Sequence, residues 1–558
     1  MRRLWSTLPA HLVAVLVYFL AALFTSAYFM ADTADYLDSI LAYVDGRYYD
    51  FWEFGHLFWR PFGTLLFVIS DPLAVRLGGD DARANATYLL LAVNWVSGLI
   101  SVCALRGFIG RVIKPPWVSI SVTSVFVFSH AFLNFSQTGC SYIPGLALVL
   151  VSLYLLARCS EQPGRHLPVA FAAGVSLAGA VCLWFPYILV LPATAAMPIV
   201  LGKFDRKRCE LTCVVTAVAV GFVLLAYGLV IWVLGINSPA EFMHWMSAAS
   251  HGNDLKGVTR MFFGFARSFV YMGNDGILFK RYLVGDKFNP VTVADLFRVS
   301  LWRIALFYTF LGAICFNLVR LARTRRIFYL LVAGTLPVIL FAIFFDGGAV
   351  ERYLPLYPFV FLALAGCVAN SKSHLTATSL AAAFCFVVVV VNASAMANVV
   401  LDRQQEETAA RISDLQSRLK PQSRIVTVNW QDQLVNFHRS FPLHSLNRSG
   451  NITMGALVTP GTDSVAKWRE DFATYALTTW DQGGDLWISR RVLSSQPKPE
   501  WNWVEGDDRR VSWTDFYQFF SAIELEQQNN APDGFALVLP STANKKTFAE
   551  LLQNKQRA

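Results

Sequence analysis

From about residue 9 to residue 399 the chain is a succession of apolar stretches separated by short polar breaks. Each is close to the roughly 20 residues that a helix needs to cross a hydrocarbon core. Spans are expected at roughly 9–31, 86–109, 117–135, 141–158, 167–183, 185–202, 211–235, 300–321, 327–345, 354–370 and 375–399. After residue 400 the pattern changes. Short apolar runs at Ser423–Trp430, Ala476–Thr479, Leu486–Ser489 and Phe535–Leu539 read as strands. Polar segments from Asp402 to about Leu419, near 463–473 and near 514–528 read as helices. The expected fold is therefore a polytopic α-helical membrane protein of about eleven transmembrane helices (residues 1–400), followed by a soluble α/β domain (401–558).

The breaks between the apolar stretches orient them. If the N-terminus lies in the cytoplasm, the inner breaks collect Arg2 and Arg3; Arg106, Arg111 and Lys114; Arg158 and Arg165; Lys203, Arg206, Lys207 and Arg208; Arg320, Arg323, Arg325 and Arg326; and Lys372. The short outer breaks hold only Arg352. This is the asymmetry of a protein whose basic residues stay in the cytoplasm. An apolar run at about 61–78 would invert every later loop if it were a span, so it is expected to be interfacial or re-entrant. An odd number of spans then places two long loops, about 32–85 and 236–299, and the C-terminal domain on the outer side.

Composition agrees. The chain is 55% hydrophobic and 14% aromatic, with a mean hydropathy of +0.44. Its net charge of +9 raises the question of nucleic acid, but the excess sits in residues 1–400, with 29 Lys and Arg against 19 Asp and Glu. Residues 401–558 hold 18 against 19 and no basic stripe with interleaved aromatics, so no nucleic-acid partner is expected. All nine cysteines precede residue 386, which argues against a disulfide scaffold or a zinc ribbon. Met1-Arg2-Arg3 and the long apolar run after it, without a small-residue cleavage site, read as a retained first span.

The chemistry-bearing residues gather in the first outer loop. Nine of the nineteen acids of residues 1–400 lie there: Asp32, Asp35, Asp38, Asp45, Asp50, Glu53, Asp71, Asp80 and Asp81. Tyr36, Leu37, Ile40, Leu41 and Val44 recur at helical spacing, which predicts an amphipathic surface helix from Ala34 to about Asp45. Asp32 and Asp35 stand at its start, three residues apart and expected to point in similar directions. As helix caps they need no further role; at the mouth of the first span they are also placed to face a lipid-borne substrate. Further on, Glu53-Phe54-Gly55-His56-Leu57-Phe58-Trp59-Arg60-Pro61-Phe62-Gly63 sets His56 and Arg60 among aromatics. Such aromatics anchor chains at interfaces, and an arginine held among them is a good ligand for a phosphate oxygen.

In this combination the sequence resembles the integral-membrane glycosyltransferases of the GT-C superfamily, which include protein O-mannosyltransferases, the lipid A aminoarabinose transferase and arabinosyltransferases. The resemblance covers roughly residues 9–400. It rests on the acidic motif directly after the first span (Met30-Ala31-Asp32-Thr33-Ala34-Asp35-Tyr36-Leu37), the surface helix ending in Asp45-Gly46, and the His56…Arg60-Pro61-Phe62-Gly63 element. Glu351-Arg352-Tyr353-Leu354-Pro355 in a late outer loop completes it. The resemblance implies an inverting transfer of one sugar from a polyprenyl-phosphate carrier to an acceptor hydroxyl on a glycan, lipid or protein. It implies Asp32 as catalytic base, with Asp35 second, although many relatives have an adjacent Asp-Glu pair where this chain has Asp-Thr-Ala-Asp.

Positive charge for the leaving phosphate is expected from Arg60 and Arg352, with His56 and Tyr353 beside them, and from Arg260, Arg267, Lys280 and Arg281 of the second long loop. The residues point to no certain cofactor; some relatives bind a divalent cation through acids, a role open to Asp32 with Asp35. His244 and His251 lack the neighbours of a metal site. The C-terminal domain, without a phosphate loop or nucleophile elbow, is expected to cover the site or recognise acceptor; Asp507-Asp508-Arg509-Arg510 reads as a turn. Two other readings are a membrane transporter and an O-antigen ligase or polymerase. The spans carry almost no Asp or Glu and show no repeated halves, against the first. The acids sit in the first loop rather than basic residues in a central one, against the second. A bacterial inner membrane is the expected location. Asn447 and Asn451 open glycosylation sequons that matter only in a eukaryotic host.

Overall fold

The computed structural model describes residues 2–46, 51–79, 81–159, 166–202, 204–248, 257–272, 278, 282, 290–320, 324–345, 347–369, 375–399, 401–403, 406, 410, 417, 419–429, 452–458, 465–498, 512–526 and 534–557. Asp50, Asp80, Arg165, Lys203, His251, Lys280, Arg281, Arg323, Lys372, Asn447, Asn451 and Asp507–Arg510 lie outside the described residues. Contacts divide the chain into two units: Met1–Asp275 with Val299–Leu401, and Gly276–Arg298 with Asp402–Ala558.

The first unit is helical. In chain order it contains α1 (Arg2–Phe24), α2 (Thr33–Val44), α3 (Trp59–Arg76), α4 (Ala82–Val112), α5 (Pro116–Val127), α6 (His130–Phe135), α7 (Tyr142–Cys159) and α8 (His166–Leu183). There follow α9 (Leu191–Leu201), α10 (Arg206–Leu234), α11 (Pro239–Ala248), α12 (Gly257–Phe269), α13 (Trp302–Arg320), α14 (Arg325–Phe344), α15 (Tyr357–Ala369) and α16 (Leu375–Ala395). Among the described residues seven helices are long and apolar enough to cross a membrane: α4, α7, α8, α10, α13, α14 and the run Val350–Ala369. His11–Phe24, Pro116–Val127, Phe185–Leu201 and Ala382–Ala395 are shorter apolar helices. The chain is thus an integral membrane protein.

The side chains at the ends explain several boundaries. Asp81 and Asp205 cap α4 and α10, accepting from Ala84 N (3.0 Å) and Arg208 N (2.9 Å). Gly235, at φ +65°, closes α10 in the left-handed conformation that glycine tolerates best.

Two expected spans are corrected. The first helix ends at Phe24, not near residue 31, because the backbone beyond it finds lateral partners. Thr25 bridges Ala397, Ser26 N donates to Met396 O (3.0 Å), and Asn134 Oδ1 accepts from Tyr28 N at 3.1 Å. The 117–135 stretch is broken at Phe128–Ser129 into α5 and α6. There Asn392 of α16 donates to Phe128 O (2.7 Å) and Phe269 O (2.8 Å) and accepts from Tyr271 N (2.8 Å). The 61–78 run forms α3, which carries Asp71 and Pro72 and is not one of the seven long apolar helices. Its Trp59, Gly63 and Phe67 are buried, while Leu65, Val68, Ile69 and Leu73 are exposed. Gly63 lets α3 close on α2, since a Cβ there would stand 2.6 Å from Ile40 Cδ1.

The second unit carries a five-stranded sheet in the order β2-β1-β3-β5-β4, with β1 (Ser423–Asn429), β2 (Ile452–Val458), β3 (Leu486–Ser489), β4 (Leu525–Glu526) and β5 (Phe535–Val538). β1 pairs in parallel with β2 and β3, and β5 runs antiparallel to β3 and β4. Helices α17 (Val465–Asp481), α18 (Trp513–Ser521) and α19 (Thr542–Arg557) supply Trp468, Phe472, Phe516, Phe520 and Phe548 to its core. Ala476–Thr479 is not a strand but the last part of α17, where Trp468, Phe472, Ala476 and Thr479 are buried at helical spacing.

Candidate functional site

The turn that leads from α1 to α2 aims the first acid. Ala31 takes φ +47°, a conformation that costs a residue with a Cβ about 1 kcal/mol or more. The next residue, Asp32, is the N-cap of α2, yet its side chain makes no capping hydrogen bond. Its carboxylate instead accepts from the Tyr142 hydroxyl at the start of α7 (2.7 Å). The turn is locked beside it. Thr33 Oγ1 donates to Met30 O and accepts from Gly139 N (2.9 Å), and Trp59 Nε1 donates to Gly139 O (3.0 Å).

Around this carboxylate the aromatic run of the first loop folds inward. His56 is buried, and its Nδ1 lies 2.7 Å from Ser141 Oγ. Arg60 pairs with Glu53 (3.0 Å) and stands 5.7 Å from the centre of the Tyr36 ring. Tyr36, whose ring is edge-on to both His56 and Trp59, is 1% exposed, and its hydroxyl has no hydrogen-bond partner. Burial first, then the fields of Asp32 and Glu53, hold the Tyr36 phenol well above its ordinary range, so it is a neutral hydroxyl. Burial likewise lowers the His56 imidazole below 6.5. The Glu53 and Asp32 carboxylates oppose that shift, and Arg60 and Arg352 add to it.

Arg352 reaches the same place from the Val350–Leu356 turn, which packs on α7 and on the Phe185–Val190 turn. Its guanidinium lies 6.0 Å from the rings of both Trp184 and Phe341. Trp184 in turn packs edge-on against Tyr142, with ring centres 4.8 Å apart. Among the described residues nothing bonds to the Arg352 side chain, and its buried Nε has no acceptor. Among the described residues, then, this guanidinium has two aromatic faces beside it and no counter-anion.

The structure therefore brings together Asp32, His56, Arg60 and Arg352. Asp35 is exposed one turn into α2, while Asp32, the N-cap, is half-buried. Arg267 is buried in α12, donates to Gly348 O (3.2 Å) and lies over Phe263. Its own carbonyl is 2.6 Å from His130 Nδ1. Arg260 is half-buried on the same helix. Tyr353 is fully buried, its hydroxyl 2.6 Å from Gly347 O and 2.9 Å from Met261 O, which ties the turn bearing Arg352 to α12. Arg267 and Tyr353 thus support that turn. Among the described residues no group of three or more His, Cys, Asp or Glu side chains converges to hold a metal ion. Sequence reasoning missed Tyr142, Ser141 and Trp184, whose neighbours are distant in the chain, and read Tyr36 only as part of an apolar stripe.

No protein-family model and no curated protein matches the sequence. Solved structures do match. They include the oligosaccharyltransferase of Archaeoglobus fulgidus in complex with zinc and sulfate, at 12% identity and TM-score 0.50 over 88% of this chain and 70% of that one. ArnT of Cupriavidus metallidurans bound to undecaprenyl phosphate matches at 10% identity and TM-score 0.50, over 97% of this chain and 98% of that one. Its apo form matches at the same identity and score, over 98% and 99%. The likeness is one of fold alone: this chain shares its fold with the oligosaccharyltransferase and with ArnT.

Proposed function

We propose that this chain is an inverting membrane glycosyltransferase that moves a sugar from a polyprenyl-phosphate carrier to an acceptor hydroxyl on the extracytoplasmic face. The observation that carries the reading is Arg352: a guanidinium with no anion against it among the described residues, close enough to His56 to share its field with Asp32, Glu53 and Arg60. The undecaprenyl phosphate bound to the ArnT neighbour is a ligand of the chemistry such a cation would take.

In the step we infer, Asp32 takes the proton of the acceptor hydroxyl as its oxygen attacks the anomeric carbon from the face opposite the phosphate. The bond between that carbon and the phosphate oxygen breaks, its electron pair leaves with the phosphate, and the configuration inverts. Arg352 holds the departing phosphate, which needs positive charge rather than a proton. Arg60 is the second cation, released to the phosphate as far as its pair with Glu53 allows. Tyr142 orients the base. With eleven spans and a cytoplasmic N-terminus, this site opens on the outer side, as expected for a bacterial inner-membrane enzyme.

The test is to incubate the purified protein with a panel of polyprenyl-phosphate sugars and follow carrier release for wild type and Asp32→Asn. Release by the wild type, lost in the variant, is the expected result. A variant that turns over normally removes Asp32 as base, and consumption of no donor at all removes the reading.

A further inference from the structure

A second arginine is buried without a partner, at the other end of the helices. Arg106 lies in α4, six residues before its end at Val112, and is 5% exposed. Its Nε is buried with no acceptor, and among the described residues its side chain makes no hydrogen bond or ion pair. Its charge reaches His11 on α1, Cys103 on α4 and Tyr154 on α7, none of them a carboxylate. Tyr154 lies against Gly107, where a Cβ would stand 2.8 Å from its ring, and its hydroxyl also takes Arg111 Nη2 at 3.4 Å. Among the described residues no carboxylate stands against the Arg106 guanidinium. An uncompensated cation in an apolar bundle is costly unless an anion comes from outside.

We propose that Arg106 anchors a site for a phosphate anion between α1, α4 and α7, and that the phosphate is the head group of an anionic lipid. Its place among the basic ends of apolar helices, where acidic lipids are attracted, favours a lipid over a soluble phosphate. Beside His11, Leu12, Val13 and Leu16 present exposed apolar side chains along α1, a track for acyl chains leading away from the head group. The site is independent of glycosyl transfer.

The test uses full-length, delipidated protein in detergent, titrated with dioctanoyl phosphatidylglycerol, dioctanoyl phosphatidylcholine and inorganic phosphate, with binding read by native mass spectrometry. Wild type should hold the glycerol lipid at least about tenfold more tightly than the choline lipid, and Arg106→Gln should weaken it by about tenfold. Arg106→Lys should keep most of the affinity, and Lys114→Gln, at an exposed position, should change it less than about twofold. Displacement of the lipid by millimolar inorganic phosphate would support the anion site with a soluble ligand. Equal binding of the two lipids by wild type, or unchanged binding in Arg106→Gln, overturns the proposal. If Arg106→Gln does not fold, the wild-type comparison of the two lipids still decides.

Discussion

Arg352→Gln separates a ligand-binding cation from a structural one. A buried arginine that serves the fold has a counter-anion, and removing it leaves that anion stranded at about 3–5 kcal/mol. Arg352 has none; its contacts are two aromatic faces at 6.0 Å, each worth about 0.5–2 kcal/mol. Losing them is offset by no longer burying an uncompensated charge, so the variant should be within about 1 kcal/mol of wild type in stability. Binding should respond differently. Two charge-assisted hydrogen bonds to a phosphate, at about 1.5 kcal/mol or more each, amount to roughly a hundredfold in affinity. At a lipid concentration of 100 times the wild-type Kd, undecaprenyl phosphate stabilises the wild type by about 2.7 kcal/mol, and a hundredfold weaker site by about 0.4 kcal/mol. Thermal unfolding with and without the lipid reads both quantities. A variant that loses several kcal/mol without lipid, yet keeps the full lipid-induced shift, would refute the reasoning, for Arg352 would then be a structural residue.

Three further outcomes are expected. Tyr142→Phe removes the hydroxyl that donates to Asp32 and nothing else, so kcat should fall by about 10- to 100-fold with little change in KM. An unchanged kcat would show that the Tyr142–Asp32 bond does not orient the base. His56 binds protons less readily in the fold than in the unfolded chain, whose imidazole titrates near 6.5. Below that pH the unfolded chain gains a proton the fold refuses, so stability should fall on acidification, and His56→Gln should flatten the slope in unfolding scans between about pH 7.5 and 5.5. Asn392→Leu strands Phe128 O, Phe269 O and Tyr271 N, and should cost about 3 kcal/mol or more in denaturant unfolding. A loss under about 1 kcal/mol would mean water replaces the side chain.

What the sequence made legible was the apolar stretches, because a span is a local property of composition. It did not show where helices break, since the breaks are made by residues from elsewhere. Thr25 to Ala31 looks like more of the first span until Asn134 and Met396 take its backbone groups. In the second unit, Ala476-Leu477-Thr478-Thr479 favours a strand only when Phe472 and Trp468, one and two turns earlier on the same buried face, are left out. β2 went unread for a related reason: Met454, Gly455 and Ala456 have little intrinsic strand preference, and Gly455 is suited to a strand that runs beneath Tyr475, whose ring would stand 3.2 Å from an added Cβ.

The site divides along the same line. Residue types placed Asp32, His56, Arg60 and Arg352 together, because an acid after the first span and arginines among interfacial aromatics are chemically conspicuous. Their roles depend on partners that no local pattern displays. An aspartate before a helix is a cap by default, and only the position of Tyr142, 110 residues away, shows the carboxylate turned from the backbone N–H groups toward another hydroxyl. The i, i+3 argument that coupled Asp35 to Asp32 assumed that both lie in the helix. Asp32 is instead the N-cap and half-buried, and Asp35 lies at an exposed position in the first turn of α2. Because Asn and Asp cap helices about equally well, Asp32→Asn would leave a capping role intact, so any loss of turnover in that variant belongs to the charge and not to the helix.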